Sequence, residues 1–487
     1  MPLTINRRQV LQGTVGTLLV GSTLGGSRAN AANPATQLTI DTRILDVNGK
    51  AAKVYNLAQP NGKHGIETTA GSDFRVSLKN QLDYDSLVHW HGLTPPPEQD
   101  GVPELSQPPL VSQGTYEYDF RLDFPGTHWM HSHVGLQEQE LLAAPLIVYD
   151  PAEAGLDEQN VVVLLHDFTF KDPDEIFAQL RSGESDPHQE EGAMKDGMAM
   201  KDGMAMKDGM AMDGMNMEMD LNDVEFDAYL ANDRTLSDPE IVRVDPGGKI
   251  RLRIINAAAS TNFMLDLGSL DGAVVAVDGH SVNPVAGRRF EIAIAQRVDI
   301  RLTLPAGQGA YPILAIREGN VARTGIFLAT ASGTIPKLAE EGSYSAPPIR
   351  IGLEQNLRAT TPLPSRPVSR RINLNLTGSM EKYIWTLNDR TYADRIPLMV
   401  AEGERVEIAM HNKTGMAHPM HLHGHVFQVV AINNQRFSGA LRDTVMVPPQ
   451  QTVTVALDAD NPGRWAFHCH NLYHMGAGMF TSLEYEV

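Results

Sequence analysis

Near its end the chain reads His468-Cys469-His470-Asn471-Leu472-Tyr473-His474, with Met479 a short distance beyond, and Cys469 is the only cysteine. A thiolate, imidazoles and a distant thioether form the ligand set of a blue-copper electron-transfer site. Side chains alternate across an extended strand, so His468 and His470 share the face opposite Cys469. A chain built this way has to hold a strand there, with one metal site on each face and a single backbone between them. A buried structural cysteine with incidental neighbours is the plainer reading. It leaves the downstream histidine and methionine unexplained.

Three further clusters extend the pattern: His89-Trp90-His91-Gly92, His128-Trp129-Met130-His131-Ser132-His133, and His418-Pro419-Met420-His421-Leu422-His423-Gly424-His425. Each contains a His-x-His pair, which a strand presents on one face. Imidazole suits copper, and one cysteine cannot build a structural zinc site of the Cys₂ or Cys₄ kind. One such pair arises by chance. Most of the 17 histidines gathered into four clusters do not.

These clusters, read as H-x-H-G, H-x-H, H-P-x-H-x-H and H-C-H-x₃-H-x₄-M, resemble the copper motifs of the three-domain multicopper oxidases, in the family's order. The stretches DGVPELSQPPLVSQGTYEYDF and GTHWMHSHVGLQEQELLAAPLIV look most like the bacterial periplasmic copper-resistance oxidases. The resemblance implies an all-β chain of three consecutive cupredoxin-like β-sandwich (Greek-key) domains holding four coppers. It assigns a type 1 copper to His418, Cys469 and His474, with Met479 axial, and a type 2 copper to His89 and His421. It assigns a type 3 pair to His91, His131 and His470 on one ion, and His133, His423 and His468 on the other. Electrons would enter at type 1, cross the Cys-His bonds and reduce dioxygen to water. Asp100, in Asp100-Gly101-Val102-Pro103, matches the family aspartate proposed to deliver protons, which that reduction consumes. A turn-forming Asp-Gly is the simpler account of the same residues.

The remaining histidines carry no such expectation. His128 and His425 lie inside motifs at positions the family does not use, and His64, His166, His188, His280 and His411 stand outside any cluster. All are expected to be ordinary surface or hydrogen-bonded residues. Two positions depart from the family's pattern. Met475-Gly476 stands where many relatives carry an acidic residue after the last type 1 histidine, so a carboxylate partner on that side is expected to be missing. Met130 replaces an aromatic residue, with no evident chemical consequence.

The 487-residue length suggests about three domains. Short alternating runs such as 74–78, 249–254, 405–410 and 452–457 read as half-buried strands between turns, as in β-sandwiches. The expected division is a first domain over 37–150, a second over 160–340, a Pro-rich linker over 345–367 and a third domain over 368–487. The coppers should then gather between the first and third domains, with the middle one a spacer.

Residues 1–31 read as a removable export signal. Arg7-Arg8, a weakly apolar Gly-rich run and Ala29-Asn30-Ala31 suggest the twin-arginine route to the periplasm. An ordinary Sec signal is the alternative. No later segment has the length of a membrane span, and a lone cysteine excludes an intrachain disulfide. The formal charge of -19 disfavours nucleic acid and anionic membranes as partners and favours cations. The protein is expected to act as a monomer.

Residues 194–219 repeat KDGMAM almost perfectly and hold ten of the 21 methionines. Gly, Asp and Lys interrupt every Met pair, so the segment cannot bury enough apolar area to offset its ordering entropy. Thioethers prefer Cu(I), and Asp attracts any cation. The expected substrate is therefore Cu(I), in copper tolerance, with dioxygen as acceptor. A general laccase acting on phenols or aromatic amines is the closest competitor. A non-enzymatic copper-binding protein would not need a dioxygen-reducing cluster, and a copper nitrite reductase would lack the type 3 pair.

Overall fold

A computed structural model describes residues 34–182 and 221–486. The export signal and the methionine repeat both lie outside the described residues.

The alternating runs form strands, and the strands form six sheets that pair into three sandwiches. The first combines a sheet ordered Lys50–Ala58, Thr36–Val47, Asp73–Asn80, Thr115–Arg121 with one ordered Ile66–Thr69, Ala143–Tyr149, Gly126–Ser132, Val88–His89. Leu38, Phe74, Trp90 and Met130 from both sheets share one buried core. The second sandwich packs a six-stranded sheet on a five-stranded one, and the third a seven-stranded sheet on a five-stranded one. Each sheet contains one parallel pair among antiparallel neighbours. Thr36–Val47 runs parallel to Asp73–Asn80, Gln159–Phe168 to Lys249–Asn256, and Arg370–Ser379 to Arg405–Asn412. The same crossover recurs three times along the chain, which is the cupredoxin-like architecture expected from the motifs.

All four quoted runs are strands, but they are not half-exposed. In Lys249–Asn256 only Lys249 is exposed. Arg251 and Arg253, on its charged face, are buried because the first domain covers them. Arg251 Nη2 is 2.8 Å from Asp299 Oδ2, and Arg253 Nη1 donates to Thr127 Oγ1 at 2.9 Å. A face that reads as solvent-facing is a domain interface, its charges tolerated because each is paired.

The Pro-rich stretch before the third domain is packed. Ile349, Ile351 and Leu357 are buried, and the short helix Gly352–Asn356 carries Glu354 inward to Arg442 (Oε2 to Nε, 2.7 Å). Arg442 Nη1 also donates to Asp278 Oδ2, at 3.0 Å, which ties the second and third domains together. Among the described residues no helix is long and apolar enough to cross a membrane.

Candidate copper centres

The strand Arg464–Cys469 sets the geometry. It pairs with His418–Leu422 so that His421 faces His468 and Met420 faces Cys469. Beyond Cys469 the chain turns sharply into the helix Leu472–Gly476. Asn471 caps that helix, its side chain accepting from the backbone N–H of Tyr473 and His474. The turn brings His474 back to Cys469. Sγ lies 3.7 Å from Nδ1 of both His418 and His474, and those two nitrogens are 3.1 Å apart. Met479 is buried beside them, its backbone N–H donating to His474 O and its carbonyl accepting from Cys469 N–H, each at 3.0 Å.

On the opposite face three further trios converge: His89, His91 and His421; His91, His131 and His470; His133, His423 and His468. The Nε2 atoms of facing rings are separated by 3.5 Å (His89 and His421), 3.3 Å (His131 and His470), 3.4 Å (His133 and His468) and 3.0 Å (His423 and His468). Ring nitrogens about 2 Å from a shared ion fall at such separations. The first and third domains supply every one of these histidines.

The donor set fits metal on chemical grounds as well. Burial pushes the Cys469 thiol up, so a thiolate at that spot needs a cation to hold it. Burial pushes the imidazoles down: His91, His131, His133, His418, His421, His423 and His470 lie well below the ordinary histidine value, and His468 falls to about 4. Neutral imidazole is the ligating form. Several of the rings are also aimed from behind. Nδ1–H of His468 donates to Cys469 O (3.0 Å), that of His421 to Asp443 O (2.9 Å), and that of His131 to Ser132 O (3.0 Å). His91 is reversed. Its Nε2 is 3.0 Å from Asp443 Oδ1, which leaves a buried Nδ1 without a partner.

Asp100 lies against the cluster and in a turn. Its Oδ2 is 2.9 Å from His423 Nδ1 and its carbonyl oxygen 2.7 Å from His89 Nδ1, so one residue braces histidines of two trios. It also sits in a tight turn. Gly101 has φ +82°, and a Cβ there would come within 1.9 Å of Val88 O.

Other expectations need correction. His474 does have a carboxylate partner: Asp223 Oδ2 is 2.9 Å from its Nε2, a close contact without hydrogen-bond alignment. That oxygen also accepts from Tyr383 Oη (2.9 Å) and Asn471 Nδ2 (3.1 Å). Asp223 comes from the middle of the chain, so the middle domain is more than a spacer. His128 is neither on the surface nor hydrogen-bonded. It is fully buried against Gly126 and Gly279 with both ring nitrogens unpartnered. His64 and His280 each bury an unpartnered Nε2. His166, His411 and His425 are hydrogen-bonded as expected; His425 Nδ1–H donates to His423 O and its Nε2 accepts from Tyr485 Oη. His188 lies outside the described residues. Met130 is an ordinary member of the first domain's core.

Three carboxylates escape a reading by motif. Asp223, Glu138 (Oε2 2.7 Å from His131 Nδ1) and Asp443 stand behind ligand-type histidines. Glu138 follows the second His-x-His pair closely enough to have been a candidate. Asp223 and Asp443 reach their histidines through the fold.

Three multicopper oxidase family profiles match residues 41–153, 159–332 and 365–487. The chain is 33% identical to Multicopper oxidase MmcO of Mycobacterium tuberculosis, over 96% of this chain and 91% of that one. It is 28% identical to Copper resistance protein A of Escherichia coli over the full length of both. Among solved structures, Fet3p, a multicopper oxidase that functions in iron import, superposes with a TM-score of 0.74 at 19% identity, covering 92% of this chain and 90% of that one. The laccase from Botrytis aclada superposes with a TM-score of 0.73 at 22% identity, covering 92% and 88%. With the profiles spanning most of its length, the chain belongs to the multicopper oxidases.

Proposed function

We propose that this multicopper oxidase is an exported, periplasmic cuprous oxidase serving copper tolerance, with His418, Cys469, His474 and Met479 as its type 1 ligands. His89 and His421 hold the type 2 ion, His91, His131 and His470 one type 3 ion, and His133, His423 and His468 the other. Copper bound there supplies one-electron oxidation at the Cys469 end and, at the cluster, the reaction of dioxygen with four electrons and four protons to give two waters. Cys469 lies between His468 and His470 in sequence, so the two centres are one peptide unit apart on either side. Asp100 is the residue assigned to proton handling, at Oδ2, beside His423.

The observation that carries the reading is the convergence of four buried trios from the two ends of the chain. What favours Cu(I) as donor is the methionine repeat in the sequence together with where the described chain leaves off before it and resumes after it. The described chain stops after the helix Pro173–Ser182 and resumes at Leu221. Ile176, Phe177 and Leu180 of that helix pack on the core that holds Cys469, and Asp223 meets His474. The described segments on either side of residues 183–220 therefore both touch the third-domain core around Cys469 and His474, and His474 itself is fully buried. The name Copper resistance protein A among the relatives agrees. Residues 1–31 would direct export by the twin-arginine route, and the chain would act alone.

The test is dioxygen uptake by copper-loaded protein supplied with Cu(I) or with phenols. Cu(I) should be the faster donor, accompanied by blue absorption that Cys469→Ser abolishes. A colourless loaded protein, or uptake driven only by phenols, would overturn the assignment.

A further inference from the structure

Glu138 belongs to no metal motif, yet its carboxylate lies behind two of the histidines assigned to one ion. Oε2 is 2.7 Å from His131 Nδ1 and Oε1 is 3.8 Å from His470 Nδ1, while the Nε2 atoms of the same two rings approach to 3.3 Å on the far side. His131 comes from the first domain and His470 from the third. The carboxylate is 3% exposed, and its Oε1 has no hydrogen-bond partner.

The backbone that presents Glu138 is tied down on both sides. Gln137 Oε1 accepts from Ser86 Oγ (2.8 Å) and Ser132 Oγ (2.7 Å), and its Nε2 donates to Asp85 O (3.0 Å). Gln139 Nε2 donates to Asp167 O at 3.3 Å, and its Oε1 accepts from Tyr473 Oη at 3.1 Å. Asp167 in turn accepts from Ala259 N–H and Ser260 N–H of the second domain. Residues 137–139 thus meet all three domains, and Glu138 is the side chain among them that turns to the cluster. Ser132 O already takes the His131 Nδ1–H, so a mere aiming bond is present without Glu138. What Glu138 adds is a buried carboxylate that reaches both rings from behind, which fixes how their Nε2 atoms face whatever lies between them.

We propose that Glu138 is a positioning residue for one type 3 ion, holding His131 and His470 as a pair across the boundary between the first and third domains. This rests on the four-copper reading above. Loss of such an outer partner weakens metal retention by about 10- to 100-fold.

The test uses the full chain, copper-loaded and then challenged with a chelator. Glu138→Ala should lose one type 3 ion about 10- to 100-fold more readily than the parent. Its former neighbour, no longer spin-coupled, should appear in the paramagnetic-resonance spectrum, and the blue absorption of the Cys469 centre should stay unchanged. Glu138→Gln keeps the shape but places an amide where the carboxylate meets the two rings, so it should show the same selective loss, and it carries the test if the alanine variant does not fold. Both variants keeping four coppers and a silent pair under the same challenge would overturn the proposal. A parent protein with no spin-coupled pair would overturn the four-copper reading beneath it.

Discussion

Asp223 Oδ2 lies 2.9 Å from His474 Nε2, joining the middle of the chain to the helical turn that follows Cys469. The same oxygen accepts from Tyr383 and Asn471, so the carboxylate is fixed, and its second oxygen is buried and unpaired. A negative charge there favours the oxidised ion and attracts a cationic donor. Asp223→Asn should raise the type 1 reduction potential and lower kcat/KM for Cu(I) by about 10- to 100-fold, the usual scale for an outer-sphere partner. Redox titration with steady-state rates checks both. An unchanged potential would remove Asp223 from any electronic role.

Arg297 is buried at the junction of all three domains. It donates to the Asp443 carboxylate with both terminal nitrogens, to Thr127 O with Nε, and takes Asp278 as a backbone partner. Asp443 in turn sits behind His91. Arg297→Met should destabilise the metal-free protein by about 3–5 kcal/mol, because it strands a buried carboxylate. Denaturant titration measures this, and a loss under about 1 kcal/mol would mean that water reaches the junction.

Acid should weaken the copper-free fold. Burial lowers His166, His280, His425 and His468 to about 4, whereas the unfolded chain titrates near 6.5. For a depressed pKa the stabilisation is fully present above about 6.5 and is lost as pH falls toward 4, where the unfolded state alone takes up protons. Each group contributes of the order of 3 kcal/mol at most. Unfolding free energies measured at pH 8, 6.5, 5 and 4 should drop across the last three points. A flat profile would count against neutral buried rings.

Deleting residues 194–219 should separate the two candidate donors. A tethered cluster of thioethers raises the local Cu(I) concentration, so at micromolar Cu(I) the rate should fall by roughly 10-fold. Phenol oxidation should hold steady or rise. Equal losses with both donors would reduce the repeat to a structural insertion.

Much of this site is legible in one dimension because strands impose a period of two. His89, His131, His421 and His468 lie on strands, and His91, His133, His423 and His470 fall just past the strand ends, where the same period still brings each pair to one cluster. Cys469, by the same rule, had to face the other way. Contacts across the fold have no such signature. Asp223 sits about 250 positions before His474. Nothing near His474 announces it, and the motif departure at Met475-Gly476 suggested a gap that the middle domain fills. The buried face of Lys249–Asn256 was illegible for a related reason: Arg251 and Arg253 look solvent-facing until the first domain covers them. His128 shows the converse. Its motif context implied an unremarkable residue, while packing between glycines left both nitrogens bare.

Every histidine trio outside the Cys469 centre draws on both terminal domains, and this governs how the enzyme matures. His89 and His133 can leave the ribosome long before His421 and His468 exist, so half a cluster offers incoming metal too few donors to stay. Loading has to wait until the last strands have docked. Copper held by these histidines would then be acquired by a finished fold, and its binding would latch the N-terminal and C-terminal sandwiches together.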